Sequence, residues 1–169
     1  MFSQRGLYHL AHSVHDMQEI TRRAYSNYLN GIDAEILNQD QVKKNIPHMN
    51  VNGRYPVLGA ILQRRAGTAR HDAVAWGYAR AAENLGVDII QNCEVTGIDV
   101  SNGIVTGLQT TKGSVNAKKV GLVPAGHSSV LANMAGFRLP ISSVPLQALV
   151  SEPIKPILDC VIMSNTVHV

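Results

Sequence analysis

The sequence predicts an α/β protein with α+β character, and three observations carry that expectation. An apolar stripe at helical spacing over residues 73–85 closes at Gly86 and leads into the branched run Val87-Asp88-Ile89-Ile90-Gln91. From Glu94 onward the apolar period changes from helical to alternating, with turn residues between the segments. The run from Lys119 to Gly126 is apolar again and ends in small residues. Helices interleaved with strands, and a meander set among them, define a mixed layered architecture.

The elements follow in order. Val14, Met17, Ile20, Ala24 and Tyr28 share one stripe, which predicts a helix from about Val14 to Asn30. Ser13 with Asp16 resembles a capping box, and Gly31 supplies a left-handed stop. Asn38 is placed to cap a short helix from Gln39 to Asn45, which Pro47 closes. After a loop rich in Asn, Gly and Pro, Val57 to Leu62 reads as a short strand. Asp72 is expected to cap a helix from Ala73 to Leu85, with Val74, Tyr78, Ala81, Ala82 and Leu85 inward and Trp76 and Tyr78 as packing residues. Residues 87–91 are too few for a further helix and read as a buried strand, the second half of a βαβ unit.

Val95, Ile98 and Val100 open a three-stranded antiparallel meander. Its turns are Ser101-Asn102-Gly103 and Thr111-Lys112-Gly113, its second strand Ile104 to Thr110 and its third Ser114 to Ala117. Lys119 to Gly126 predicts another buried strand, and His127-Ser128-Ser129 start a helix that Gly136 ends. Ile141 to Val150 is expected to be a strand of a different sheet, and His168-Val169 to lie in one more. There is no internal repeat and no low-complexity segment.

Composition narrows the function classes. With 169 residues, 45% hydrophobic and 16% charged, the chain has material for an ordinary globular core. The net charge of +3 is spread out, with no basic run longer than a pair such as Arg64-Arg65 or Lys118-Lys119, and two Phe and one Trp offer little stacking surface, so no nucleic-acid role is expected. Cys93 and Cys160 have neither disulfide-framework nor zinc spacing, which points to a reduced cytoplasmic compartment. No apolar stretch reaches membrane-span length, and the first residues lack the apolar core of a signal peptide, so no membrane partner is expected. His9, His12 and His15 fall at a spacing of three, but no Cys or carboxylate triad joins them, and no metal site is expected.

The residue with the most chemistry is His71. In Gln63-Arg64-Arg65-Ala66-Gly67-Thr68-Ala69-Arg70-His71-Asp72 a Gly- and Arg-containing loop runs into a helix start, placing an imidazole beside three guanidinium groups. A phosphorylated cofactor needs that arrangement; the plainer reading is a surface or capping histidine. Asp72 reads as a cap, and His127 either caps its helix or touches a cofactor. Helix, strand, meander and a strand ending in Ala-Gly is how the later half of a Rossmann-like, flavin-type dinucleotide fold reads, yet no GxGxxG occurs. The chain therefore reads as an internal fragment, with Met1 an internal methionine.

The stretch Leu62 to Arg80, with Gly86 to Gly97, Ala125-Gly126-His127-Ser128-Ser129 and Ser164 to Val169, closely resembles the beta subunits of heterotetrameric sarcosine oxidases, within the glycine/D-amino-acid oxidase group of flavoproteins. The resemblance runs over the whole chain. It implies an enzyme that demethylates sarcosine at a non-covalent FAD and passes electrons to FMN and then oxygen, giving hydrogen peroxide, with the one-carbon unit captured by tetrahydrofolate. Alpha, gamma and delta subunits are the implied partners. It implies further that FMN is covalently attached to a histidine, for which His71 is the matching residue; a neutral imidazole is a competent nucleophile toward the flavin 8α carbon. Arg64, Arg65 and Arg70 then hold the FMN phosphate or face a partner subunit. For FAD, Val95 matches the valine whose backbone contacts adenine, and Ala125-Gly126 match the strand end passing near the dinucleotide, although Pro124 stands where the family more often has a small residue. The implied organisation is a linking segment over 1–66, the central and later part of the FAD-binding domain over 67–135, and the start of a substrate-domain sheet over 136–169. The residues that bind sarcosine are expected outside this chain, which alone is expected to be inactive. The alternatives are another FAD-dependent amine or dimethylglycine-type oxidoreductase, or a non-catalytic assembly module.

Overall fold

A computed structural model describes residues 2–164. In chain order these form β1 (Phe2–Gln4), β2 (Leu7–Ala11), α1 (Val14–Leu29), β3 (Glu35–Asn38), α2 (Gln39–Asn45), β4 (Gly59–Gln63), β5 (Gly67–Ala69), α3 (His71–Asn84), β6 (Val95–Ser101), β7 (Ile104–Thr110), β8 (Gly113–Asn116), a 3₁₀ turn (Ala125–His127), α4 (Ser128–Met134) and β9 (Val161–Ser164). They divide into two compact units, one drawn from residues 2–82 and 152–164 and the other from 83–151.

The first unit is built on a mixed four-stranded sheet ordered β3-β4-β2-β9. β4 runs antiparallel to both β2 and β3, while β9 lies parallel to β2, Leu7 opposite Val161. Alternation along β4 explains the unbroken apolar run Ala60-Ile61-Leu62. Ile61 packs with Ile20 and Ala24 of α1, while Ala60 and Leu62 join Tyr8, Leu10, Leu37 and the α2 residue Val42 in a second cluster. A strand buried on both faces has no polar side to show. Gly59 is required by close approach, because a Cβ there would collide with the Leu37 carbonyl oxygen and stand 2.9 Å from Met17 Sδ. β1 and β5 form a separate two-stranded ribbon.

The helix ends follow local chemistry. Ser13 Oγ accepts from the Asp16 amide at 3.1 Å, and Asp16 accepts in turn from the His12 amide at 3.0 Å, one residue upstream of the expected reciprocal partner. α1 stops before Gly31, whose φ of +71° a side chain would resist. Its stripe is narrower than expected: Ile20 and Ala24 are buried, but Val14 and Tyr28 are exposed. Asn38 and Gln41 form a full capping box, each side chain accepting from the other's amide at 2.9 Å. Asn38→Ala should therefore lower stability by about 1 kcal/mol, read as a shifted urea midpoint with unchanged slope.

The second unit contains the predicted meander, β6-β7-β8, antiparallel throughout. Asn102 and Gly103, both at positive φ, make the tight turn between β6 and β7. α4 starts and stops close to where the sequence places it, with Gly136 at φ +80° beyond its end.

Three predicted strands are not formed. Residues 87–91, 119–126 and 141–150 have no ladder partner, and Val87, Ile90, Val123, Leu146, Leu149 and Val150 are exposed. An apolar run becomes a buried strand only when neighbouring strands satisfy its backbone, and among the described residues none is alongside. For the same reason α3 carries no buried residue: Val74, Tyr78 and Leu85, expected inward, are exposed, and so is Trp76. α3 begins at His71, two residues before the predicted start, so Asp72 lies inside its first turn and is not its cap. Conversely β1, β2, β3, β5 and β9 were not foreseen from the sequence. The strand expected at His168-Val169 lies outside the described residues.

Candidate functional site

The loop before α3 is anchored by backbone. The Ala66 carbonyl accepts from the amides of Arg5 and Gly6 at 3.1 and 2.9 Å, and Gly67 lies so close to Ser3 of β1 that a side chain would strike its carbonyl. The Arg70 carbonyl accepts from Val74 at 3.1 Å, which opens the helix and leaves His71 as its first residue. His71 is exposed, and its ring makes no hydrogen bond among the described residues. A nitrogen lone pair is therefore free for chemistry. Asp72 is held below the usual carboxylate range by the Ala73 amide and then by Arg70, whose Nη2 lies 3.0 Å from its carboxylate. A negative charge in the first turn complements the helix dipole.

Each of the three loop arginines has an acidic partner. Arg64 grips Glu35 with two nitrogens, Nη2 at 2.9 Å; Arg65 meets Asp33 at 2.9 Å; Arg70 meets Asp72. All three pairs are open to solvent, so each is weak enough for a competing anion to exchange. The sequence did not reveal these partners, because Glu35 opens β3 and Asp33 lies in the loop just before it. Arg64 holds the Glu35 carboxyl below its ordinary value of 4.5. A lowered folded-state value means that the pair stabilises the fold above that value and loses its effect as pH falls through the folded midpoint. A carboxyl NMR titration of Glu35 should have its midpoint below 4.5, and Arg64→Ala should return it upward.

In the second unit Val95 begins β6. Its neighbour Glu94 faces β7, accepting from the Thr111 amide at 2.9 Å while its own amide donates to Thr111 Oγ1 at 3.0 Å. Strand alternation then turns the amide and carbonyl of Val95 toward the open edge of β6. Val95, Leu108, Leu131 and residues 120–124 line an apolar cleft of about 260 Å³. Directly after them Ala125 sits at φ +48°, a left-handed conformation that costs a residue with a Cβ about 1 kcal/mol or more. The Ala125 carbonyl accepts from Ser128 Oγ at 2.7 Å and that of Gly126 from Ser143 Oγ at 2.5 Å. Gly126 is open: an added Cβ would meet nothing nearer than Ser143 Oγ at 3.8 Å. An apolar slot, a free strand edge and an open glycine fit the edge and face of a planar ring system and the close passage of a phosphate chain. His127 precedes α4 without a side-chain cap bond, so capping does not explain it.

His9 and His12 have structural surroundings. His9 is buried in β2 with Arg23 Nη1 2.9 Å from its Nδ1. His12 Nδ1 reaches the carbonyls of Tyr55 and Pro56 at 3.3 and 3.2 Å. Among the described residues no three metal-ligating side chains gather.

The family model for FAD dependent oxidoreductases matches residues 1–168. The chain belongs to the FAD dependent oxidoreductase family. It is 56% identical, over 99% of its length, to the sarcosine oxidase subunit beta of Rhodobacter capsulatus, and 56% identical over its full length to that of an Arthrobacter species. It spans 41% and 42% of those two relatives. Among solved structures, glycine oxidase from Geobacillus kaustophilus superposes with a TM-score of 0.71 at 17% identity, covering 98% of this chain and 43% of that one. At that identity the superposition speaks for the fold, which is that of FAD-dependent oxidoreductases. No helix among the described residues is long and apolar enough to cross a membrane.

Proposed function

We propose that this chain forms the middle part of the beta subunit of a heterotetrameric sarcosine oxidase in the cytoplasm. The reaction is oxidative demethylation of sarcosine to glycine, with electrons passing from FAD through FMN to oxygen, hydrogen peroxide released and the one-carbon unit passed to tetrahydrofolate. The observation that carries this reading is 56% identity along essentially the whole chain to subunits of that name in two organisms. Alpha, gamma and delta subunits would be its partners.

The residues then have distinct tasks. His71 holds FMN through one imidazole nitrogen; its exposure and free ring support that role. Arg70 is poised beside it to exchange Asp72 for an anionic group of the cofactor. The outward backbone of Val95 and the open path past Ala125 and Gly126 bind FAD without a covalent bond. Bound flavins supply the redox chemistry, and the chain binds and orients them. Residues 67–135 serve the FAD-binding domain, residues 1–66 link it to the substrate domain, and residues 136–169 begin the next substrate-domain sheet.

Flavin fluorescence after acid precipitation tests the assignment. Protein from the complete oxidase should keep one flavin through precipitation and release the other. Release of both would defeat covalent attachment, and a colourless complex would favour a non-catalytic module. The 169 residues alone should produce no peroxide from sarcosine.

A further inference from the structure

The first unit carries an open cleft of about 460 Å³ beside β2, bounded by the end of α2 and residues 157–160. None of His71, Arg70, Val95, Ala125 or Gly126 lines it. Its rim holds Arg5, whose guanidinium donates to the Ser3 hydroxyl at 3.0 Å and has no carboxylate partner among the described residues. Arg64 also lines the cleft; its grip on Glu35 uses Nε and Nη2 and leaves Nη1 uncommitted. Deeper in, Tyr8 and Asn45 line the cleft together. Ile46, Leu62 and Leu158 supply apolar wall.

We propose that this cleft binds a small organic carboxylate, its charged end held by Arg5 and the free edge of Arg64 and its hydrocarbon part lying on Ile46, Leu62 and Leu158. Guanidinium groups match a carboxylate in charge and geometry, and the volume falls within the range of small-ligand pockets. Burial pushes the Tyr8 hydroxyl up from its usual range, so it stays protonated at neutral pH and able to donate. His48 adds a further ring nitrogen to the wall. Asp159, close enough to Cys160 to raise its thiol further, repels an anion from that end and leaves the arginine end as the seat. The ligand end and the apolar wall together select an organic acid over a bare inorganic anion.

Cys160 lines the cleft and is partly exposed, which makes it a reporter of occupancy. In the full chain, with any subunits that copurify, alkylation of Cys160 by iodoacetamide is read on the peptide that carries it, by mass spectrometry, with Cys93 followed as an internal control. Butyrate should slow alkylation saturably, about tenfold at about ten times its Kd. Arg5→Gln, at an exposed position where folding is not at stake, should abolish that protection. No protection by butyrate, protection that survives Arg5→Gln, or equal protection by inorganic phosphate would overturn the proposal. Flavin retention read on the same samples reports the His71 assignment separately, since neither depends on the other.

Discussion

On the proposed assignment, replacing His71 by alanine should abolish covalent flavin in the assembled complex while leaving its fold and its non-covalent flavin in place. His71 is the first, exposed residue of α3 and makes no hydrogen bond among the described residues, so alanine removes a nucleophile and little packing. Alanine is also the best helix former, and the first turn keeps the Asp72 carboxylate that complements it. The expected readings are complete loss of acid-stable flavin fluorescence, unchanged FAD content and an unchanged unfolding midpoint. Loss of FAD together with the fold would mean a structural role; acid-stable flavin persisting in the variant would move the attachment elsewhere.

The second large effect lies in the core. Ile61 of β4 is 1% exposed and packs against Ile20, Ala24 and Ala34, with Ala11 beside them. Ile61→Ala removes side-chain volume from a site walled by sheet and helix, where neighbours collapse poorly, so about 2–5 kcal/mol should be lost. That is a large share of the 5–15 kcal/mol, roughly, that a domain of ordinary stability has. Ile36 provides the control. It lies directly opposite Ile61 on β3 but is 38% exposed, so Ile36→Ala should cost clearly less. Equal costs in equilibrium urea unfolding would show that burial at β4 does not dominate the unit's stability.

What could be read from the sequence was what local chemistry decides. Ser13, Asn38, Gly31 and Gly136 mark helix ends because the groups they satisfy or the φ they adopt lie within a few residues. The meander was legible through Asn102-Gly103 and the alternation either side of it. The short strands β1, β3, β5 and β9 were not, since three or four residues give no period and their existence depends on partners far along the chain. Residues 87–91, 119–126 and 141–150 failed in the opposite direction: branched and apolar residues predict burial, but burial needs a neighbour. At the site, the position of His71 at a helix start could be read from Gly67 to Asp72, within two residues of the true boundary. The acid partners of Arg64 and Arg65 could not, because β3 and β4 bring Asp33 and Glu35 across from a distant stretch.

The parallel seam between β2 and β9 has a kinetic consequence. Leu7 must wait for Val161, so as the polypeptide leaves the ribosome one edge of β2 stays open until almost all of these residues have been made. Closing so long a loop is slow, and an unpaired edge is a template for a wrong strand from another nascent chain. Among the described strands of this sheet, β2 is therefore the first made and the last to gain both of its neighbours, and the interval before Val161 emerges is when misassembly has its opening.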